Sequence, residues 1–300
     1  MRAPIPIRAA AALALAATEP PTDLEPLMHT ATRQRIRRLN RLSRLGIIGA
    51  QRCTAALPSP LDPQTAVYVG SAEGNIADTV SMVRDLHENG TPPMPVSFIN
   101  VSTNMTGFNV ARGLGLSGIN LAASRDRLPF EAVLDLAGLD LAAGSASAAL
   151  VGCVDECAWP LEEHRRRLGL PPGAALAEGS SWLLLGDGPG PALAEVDGPY
   201  WFEDRRGLDA FLETDGVGDA GFRLATGASL AAGEEAGIAH RLGEPPRYPY
   251  REGFGYLGSI TAWGIARFIE SNRGHPAGLL HVDRDTRGRY AVIKLRTLPA

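Results

Sequence analysis

Three cysteines, six histidines and several glycine-rich stretches are the residues whose type and spacing bear on chemistry. Cys153 and Cys157 form a C-x3-C pair, but no second Cys/His pair stands at ligand spacing nearby, so no metal site is expected. With Cys53 the count is odd and small, which argues against a disulfide framework. His29, His87, His164, His240, His275 and His281 are scattered and form no HxxxH or HExxH pattern; they read as solvated or hydrogen-bonded side chains. Gly113-Leu114-Gly115-Leu116-Ser117-Gly118 matches GxGxxG. A dinucleotide fingerprint follows a strand and opens a helix, so that the pyrophosphate meets a helix N-terminus. Here the glycines follow a helical pattern and lead into a strand, which makes them a helix C-cap and loop, and no cofactor is expected. Gly70–Gly74 lacks the Lys-Ser/Thr pair of a P-loop. No GxSxG elbow occurs, and Ser124 follows two alanines with no identifiable base, although the members of a triad meet only in space.

The elements that must position these residues alternate between strand and helix. Ile5 to Leu15 reads as a first strand. Arg35 to Cys53 reads as an amphipathic helix, with Ile36, Leu39, Leu42, Leu45 and Ile48 at helical spacing. Arg33, Arg35, Arg37, Arg38, Arg41 and Arg44 decorate it; a solvated face explains them better than a docking face for an acidic carrier. Further strands are expected at 66–69, 120–123, 148–152 and 181–185, and helices at 76–89, 105–114, 130–143, 208–212 and 259–271. Gly278 to Val282 and Tyr290 to Leu295 alternate like two antiparallel edge strands around the turn Asp285-Thr286-Arg287-Gly288. This order implies an α/β protein with covered sheets.

The bulk numbers exclude some classes. A chain of 300 residues with net charge −4 is long enough for a large core and presents no global basic field for nucleic acid. No stretch reaches the roughly 18 to 20 apolar residues of a membrane span. Met1 to Arg8 followed by Ala9 to Ala17 mimics a secretory signal. The run is mostly Ala, Pro4 and Pro6 interrupt its start, and no clear cleavage site follows, so a cytoplasmic protein is expected. The sequons at Asn100 and Asn104 are expected on a buried helix start.

Several segments, in order, resemble β-ketoacyl synthases of the thiolase superfamily. Arg37–Leu45 is similar to their Arg-rich, Ser-containing first helix, and Val67–Gly74 to their first strand and Gly turn. Ser97–Gly118, Ala149–Glu156, Glu178–Leu185 and Gly253–Ala266 resemble four later segments, so the likeness covers most of 33–270. It implies a thiolase-like layered α-β-α-β-α fold, with 1–170 as the first half and 171–300 as a second, shortened half. It also implies decarboxylative condensation by a Cys at a helix N-terminus, two His residues and a backbone oxyanion hole.

This chain departs from that set at each position. The nucleophile position falls near Arg127, a fixed cation that cannot replace a thiolate. Glu213–Gly218 resembles the "Glu-x-His-Gly-x-Gly" segment with Asp215 at the first His. An Asp donates no hydrogen bond to an enolate unless its pKa is strongly raised. The second His falls on Gly255 or Tyr256, and the Lys before it near Tyr250 or Arg251. The expectation is therefore a non-catalytic subunit that pairs with an active ketosynthase in fatty-acid or polyketide-type synthesis, as chain-length factors do, with aryl-polyene pigment formation as one instance. A homodimer is the other assembly, and an acyl carrier protein a further partner. Two rivals stand beside this: an acyltransferase or hydrolase on the same fold, using Ser124, Asp215, Glu213 and His240, and a secreted binding protein.

Overall fold

A computed structural model describes residues 3–31, 39–92, 94–102, 104–125, 127–214, 221–252 and 255–300. The chain runs β1 (Ile5–Ala16), α1 (Glu25–Ala31), α2 (Arg41–Thr54), β2 (Ala66–Ser71), α3 (Ile76–Glu88), α4 (Pro95–Asn100), α5 (Asn104–Leu114), β3 (Asn120–Ser124), α6 (Pro129–Ala142), β4 (Ala148–Asp155), α7 (Leu161–Arg167), β5 (Ala177–Gly186), β6 (Ala194–Phe202), α8 (Arg205–Leu212), β7 (Phe222–Thr226), α9 (Ala232–Arg241), α10 (Ile260–Ser271), β8 (Gly278–Arg284) and β9 (Tyr290–Thr297).

Among the described residues nine strands pair in the order β3-β2-β4-β5-β1-β6-β9-β8-β7. Counting outward from the β1–β6 junction, both halves follow one pattern. β1 pairs antiparallel with β5, β5 with β4, and β4 runs parallel to β2. β6 pairs antiparallel with β9, β9 with β8, and β8 runs parallel to β7. Only the first half adds a fifth strand, β3, beyond β2. The second half is the shorter one. The division expected after residue 170 falls before β5, whereas pairing puts β5 between β4 and β1.

Small residues let β1 hold the middle. Ala10, Ala12 and Ala14 pack toward the core that contains α10, while Ala9, Ala11 and Leu13 pack toward the core of α2. The register slips between Ile7 and Ala9, so Ile7 turns to the α10 side and not to that of its i+2 neighbour. One extra residue in a strand reverses which face each later side chain meets. Three helix layers result. α2 and α5 cover one face of the first half, α6 and α10 share the central core with strands of both halves, and α8 and α9 cover the outer face of the second. This is the layered α-β-α-β-α arrangement expected from the sequence.

Several expectations change. β8 and β9 are antiparallel, as the alternation suggests, but they are interior strands: β9 lies between β6 and β8, and β8 between β9 and β7. Asn100 is the half-exposed last residue of α4 and Asn104 the exposed first residue of α5, so neither sequon lies on a buried helix start. The apolar run read against a signal is β1, buried between β5 and β6. Gly115, at φ +70, follows the end of α5, as a C-cap glycine should. Ile36 and the arginines at 33, 35, 37 and 38 lie outside the described residues; α2 itself starts at Arg41, capped by the Asn40 side chain, which accepts from Ser43 N at 2.9 Å. Among the described residues no helix is long and apolar enough to cross a membrane.

Candidate functional site at the start of helix α6

Helix α6 begins where the two halves meet. β3 ends at Ser124, and Arg125 N donates to Ser71 O at 2.9 Å, tying the turn back to β2. Leu128 then takes the left-handed conformation, φ 58 and ψ 42, as the N-cap of α6, with Pro129 as the first helical residue. A leucine at positive φ is strained, and such strain concentrates where the surrounding structure fixes a site. Phe130, Val133, Leu134 and Ala137 anchor the helix into the central core, which holds that turn in place.

A cavity of about 20 Å³ opens at this turn. Its lining is Arg127, Leu128 and Pro129 from the first half, Ala228 and Ser229 after β7, Tyr256 to Gly258, Ile260 and Thr261 at the start of α10, and Asp283 of β8. That volume suits about one water and no acyl chain. No Cys or His is among the lining residues. Arg127 and Tyr256 meet there. Gly255 has no room for a side chain, since a Cβ would come 2.7 Å from the carbonyl carbon of Ala175, so of the two alternatives only Tyr256 presents a side chain. Asp215 lies outside the described residues. Among the described residues, the second-half loop that reaches the cavity is the one after β7, at Ala228 and Ser229; Glu213 caps the exposed end of α8 and pairs with Arg241. Of the positions expected for the Lys, Tyr250 is buried against His281 and Arg251 pairs with Glu235.

Of the four residues named for the rival enzyme, Ser124, Glu213 and His240 are described and Asp215 is not. Ser124 is exposed at the end of the edge strand, His240 is 90% exposed on α9 beside Glu244, and Glu213 is 62% exposed. None of the three lines the cavity.

Sequence reasoning missed the polar groups behind the cavity. Asp283 accepts from Ser229 N at 3.1 Å and from Arg284 N at 2.8 Å, and its carboxyl covers Gly227, where a Cβ would lie 1.9 Å from it. Burial pushes Asp283 up to about 6. In the first turn of α6, Glu131 is fully buried, and burial pushes it up to about 8; the Asp283 charge adds to this. Among the described residues neither Glu131 oxygen meets a donor in hydrogen-bonding geometry. His281 Nδ1 stands 3.8 Å from Glu131 Oε1, while His281 Nε2 shares a 2.8 Å hydrogen bond with the Tyr250 hydroxyl. Burial pulls His281 down to about 3, so near neutral pH a neutral imidazole faces a mostly protonated acid. Nothing in a one-residue pattern marks Glu131; it looks like a first-turn acid on a helix.

The cysteines supply no nucleophile. Cys53, Cys153 and Cys157 are all buried, and burial raises each thiol, Cys157 to about 12 and the other two far above the ordinary range. A thiol reagent at pH 8 is expected to find no fast-reacting cysteine in the native chain and three after denaturation. One fast native thiol would contradict this geometry.

No family model and no curated protein matches this chain. Solved structures do. The ishigamide ketosynthase/chain length factor superposes with a TM-score of 0.77 at 18% identity, covering 99% of this chain and 100% of that one. A β-ketoacyl synthase from Burkholderia phymatum STM815 gives 0.69 at 14% identity, with coverage of 99% and 100%. A type II polyketide ketosynthase solved with its acyl-carrier protein, AntDE:AntF, gives 0.65 at 12% identity, with coverage of 99% and 100%. Two strand-matched halves, a shared central helix layer and a strained turn opening α6 thus belong to a chain with the thiolase-like fold of the β-ketoacyl synthase and ketosynthase/chain-length-factor structures.

Proposed function

We propose that this chain is a non-catalytic β-ketoacyl-synthase-like subunit that pairs with an active ketosynthase in fatty-acid or polyketide-type synthesis. The observation that carries this reading is the cavity at α6: about 20 Å³, lined by Arg127, Leu128, Tyr256, Ser229 and Asp283, with no thiol and no imidazole. Condensation needs a nucleophile and donors at the developing enolate oxygen. A leucine at the helix start and a tyrosine opposite supply no such nucleophile.

The surface supports pairing. Among the described residues, the outer edge of β7 is covered, with Leu224 N donating to Pro246 O and Tyr248 N to Leu224 O, both at 2.9 Å. Among the described residues the outer edge of β3 has no strand beside it. An open strand edge is a template for another chain. Near it, α3 to α5 expose Val83, Leu86, Met94, Phe98, Ile99 and Phe108. The partner is an active ketosynthase in this reading, and an acyl carrier protein meets the pair in the cytoplasm. Aryl-polyene pigment formation is one pathway of this type.

Purification of the tagged chain from its native cells tests this. Recovery of a ketosynthase with an intact catalytic Cys, in about equal amount, is the expected result. A lone homodimer, or a chain that turns over acyl thioesters by itself, overturns it.

A further inference from the structure

Helix α3 is a 13-residue helix with no fully buried residue, its apolar side chains Ile76, Ala77, Val80 and Met82 being only half-buried. The holding groups are polar and sit at its start. Asp155, the last residue of β4, accepts through Oδ1 from Ser71 Oγ and Ala72 N, both at 2.8 Å, and from Glu73 N at 3.4 Å. Ser71 Oγ in turn accepts from Gly74 N at 2.8 Å. The next residue, Glu156, accepts through Oε1 from Ala77 N, in the first turn of α3, at 3.1 Å. Two consecutive buried carboxyls therefore fasten the segment 71–77 to the end of an interior strand. Each carboxyl has a second oxygen, Asp155 Oδ2 and Glu156 Oε2, that is buried and meets no donor among the described residues. A carboxyl placed this way is accommodated best with a proton on the idle oxygen.

We propose that Asp155 and Glu156 form a proton-loaded clamp on the start of α3, and that their ionisation loosens the 71–88 segment while the sheet behind it stays folded. The charges around the clamp favour the proton. Glu73, paired with Arg167 of α7 beside His164, faces Asp155 from the turn before α3; Asp78 of α3 and Glu178 of β5 face Glu156; the Arg41 guanidinium, paired with Glu178, and the donors from Ser71, Ala72, Glu73 and Ala77 act the other way without overcoming burial. The Cys153 and Cys157 thiols beside them stay neutral, and the start of α10 closes over Asp155 at Gly258. Burial is the main cause that lifts Asp155 to about 7 and Glu156 to about 8, from ordinary values of 3.8 and 4.5. A carboxyl that is easier to protonate in place than in water favours the fastened state fully below its ordinary value. That advantage is lost as the pH rises through 7 and 8. Other ties hold the same segment: Asn40 Nδ2 donates to Asn75 Oδ1 at 2.8 Å and to Asp78 at 2.9 Å, Asn75 Nδ2 donates to Ser102 O at 3.1 Å, Arg167 pairs with Glu73, and Arg84 donates to Glu163 at 2.8 Å.

The inference concerns the isolated chain and stands apart from the partner reading. Amide hydrogen exchange of the full chain at pH 6 and pH 9, corrected for intrinsic rates, reads it directly. Peptides spanning 72–88 are expected to lose at least about tenfold in protection across that range, while peptides from β4 and β5 lose far less. In Glu156→Gln the loss shrinks to a few-fold, because the amide cannot ionise. Protection of 72–88 that does not change with pH overturns the clamp, as does an equal loss throughout the sheet. The wild-type profile alone decides between these outcomes if the variant folds poorly.

Discussion

Phe98→Asp combined with Phe108→Asp is expected to abolish recovery of the partner subunit while shifting the melting temperature of the chain itself by no more than about 2 °C. The two rings are 65% and 52% exposed, so they contribute little to the fold of their own chain. They lie on consecutive helices, α4 and α5, and α5 packs on the open-edged strand β3. If a partner covers this surface, the pair of carboxylates must be buried without counter-charge, which costs far more than the lost contact. Aromatic anchors also carry a disproportionate share of interface energy, so a loss of at least about hundredfold in affinity is expected. Titration calorimetry with the purified ketosynthase measures it. Wild-type affinity in the double variant means that the apolar face of α3–α5 is not where the partner sits.

The second large effect is on stability and its dependence on pH. Four buried carboxyls, Glu131, Asp155, Glu156 and Asp283, are raised by burial to between about 6 and 8. Each stabilises the fold fully below its ordinary carboxylate value and loses that contribution as the pH climbs through its folded value. His281 and His164 are pulled by burial to about 3 and about 4 and act in the opposite direction. Their contribution is complete above the ordinary value of 6.5 and is lost as the pH falls toward 3. Four raised acids outweigh two lowered histidines, so these groups together make the fold less stable as the pH rises from about 5 to about 8. Glu131→Gln removes the most deeply buried of these acids while keeping its shape. Melts of the variant are expected to fall much less between pH 6 and 9 than those of the wild type, a difference on the order of 2 kcal/mol at pH 9. Parallel curves for the two proteins would show that Glu131 does not ionise in that range.

The sequence carried the fold further than it carried the site. β1, β2, β3, α6 and α10 were legible because each shows its period over a clear run and is punctuated by Gly or Pro. β5, rich in serine and leucine, was seen only over its central 181–185, because the entry Ala177–Ser180 has no alternation. β6, β7, α7 and α9 were missed for physical reasons. β6 carries Asp197, Gly198 and Pro199 inside the strand, where its register with β9 slips, so its composition is that of a turn. β7 spans only Phe222–Thr226, too short for a period, and its burial comes from β8 and the 246–248 segment. With β7 illegible, the loop after Thr226, which lines the cavity at α6, carries no mark in the sequence, while residues 215–220 of the segment expected there lie outside the described residues. Glu131, His281 and Asp283 were not legible, because they come from α6 and β8, which only the fold brings within reach.

The place of β1 also sets the order in which this protein can be built. β1 leaves the ribosome well before either of its partners, β5 at 177–186 and β6 beginning at 194. Ile7 waits for Leu185 and Ala194. Until more than half of the chain has been synthesised, a strand of alanine, leucine and isoleucine with both edges bare has nothing of its own to pair with. Contacts so distant in sequence fold slowly, and bare strands associate with whatever is near. For this chain, making the protein is therefore harder than keeping it folded: yield should depend on slow translation, low temperature and chaperone supply far more than on the stability of the finished molecule.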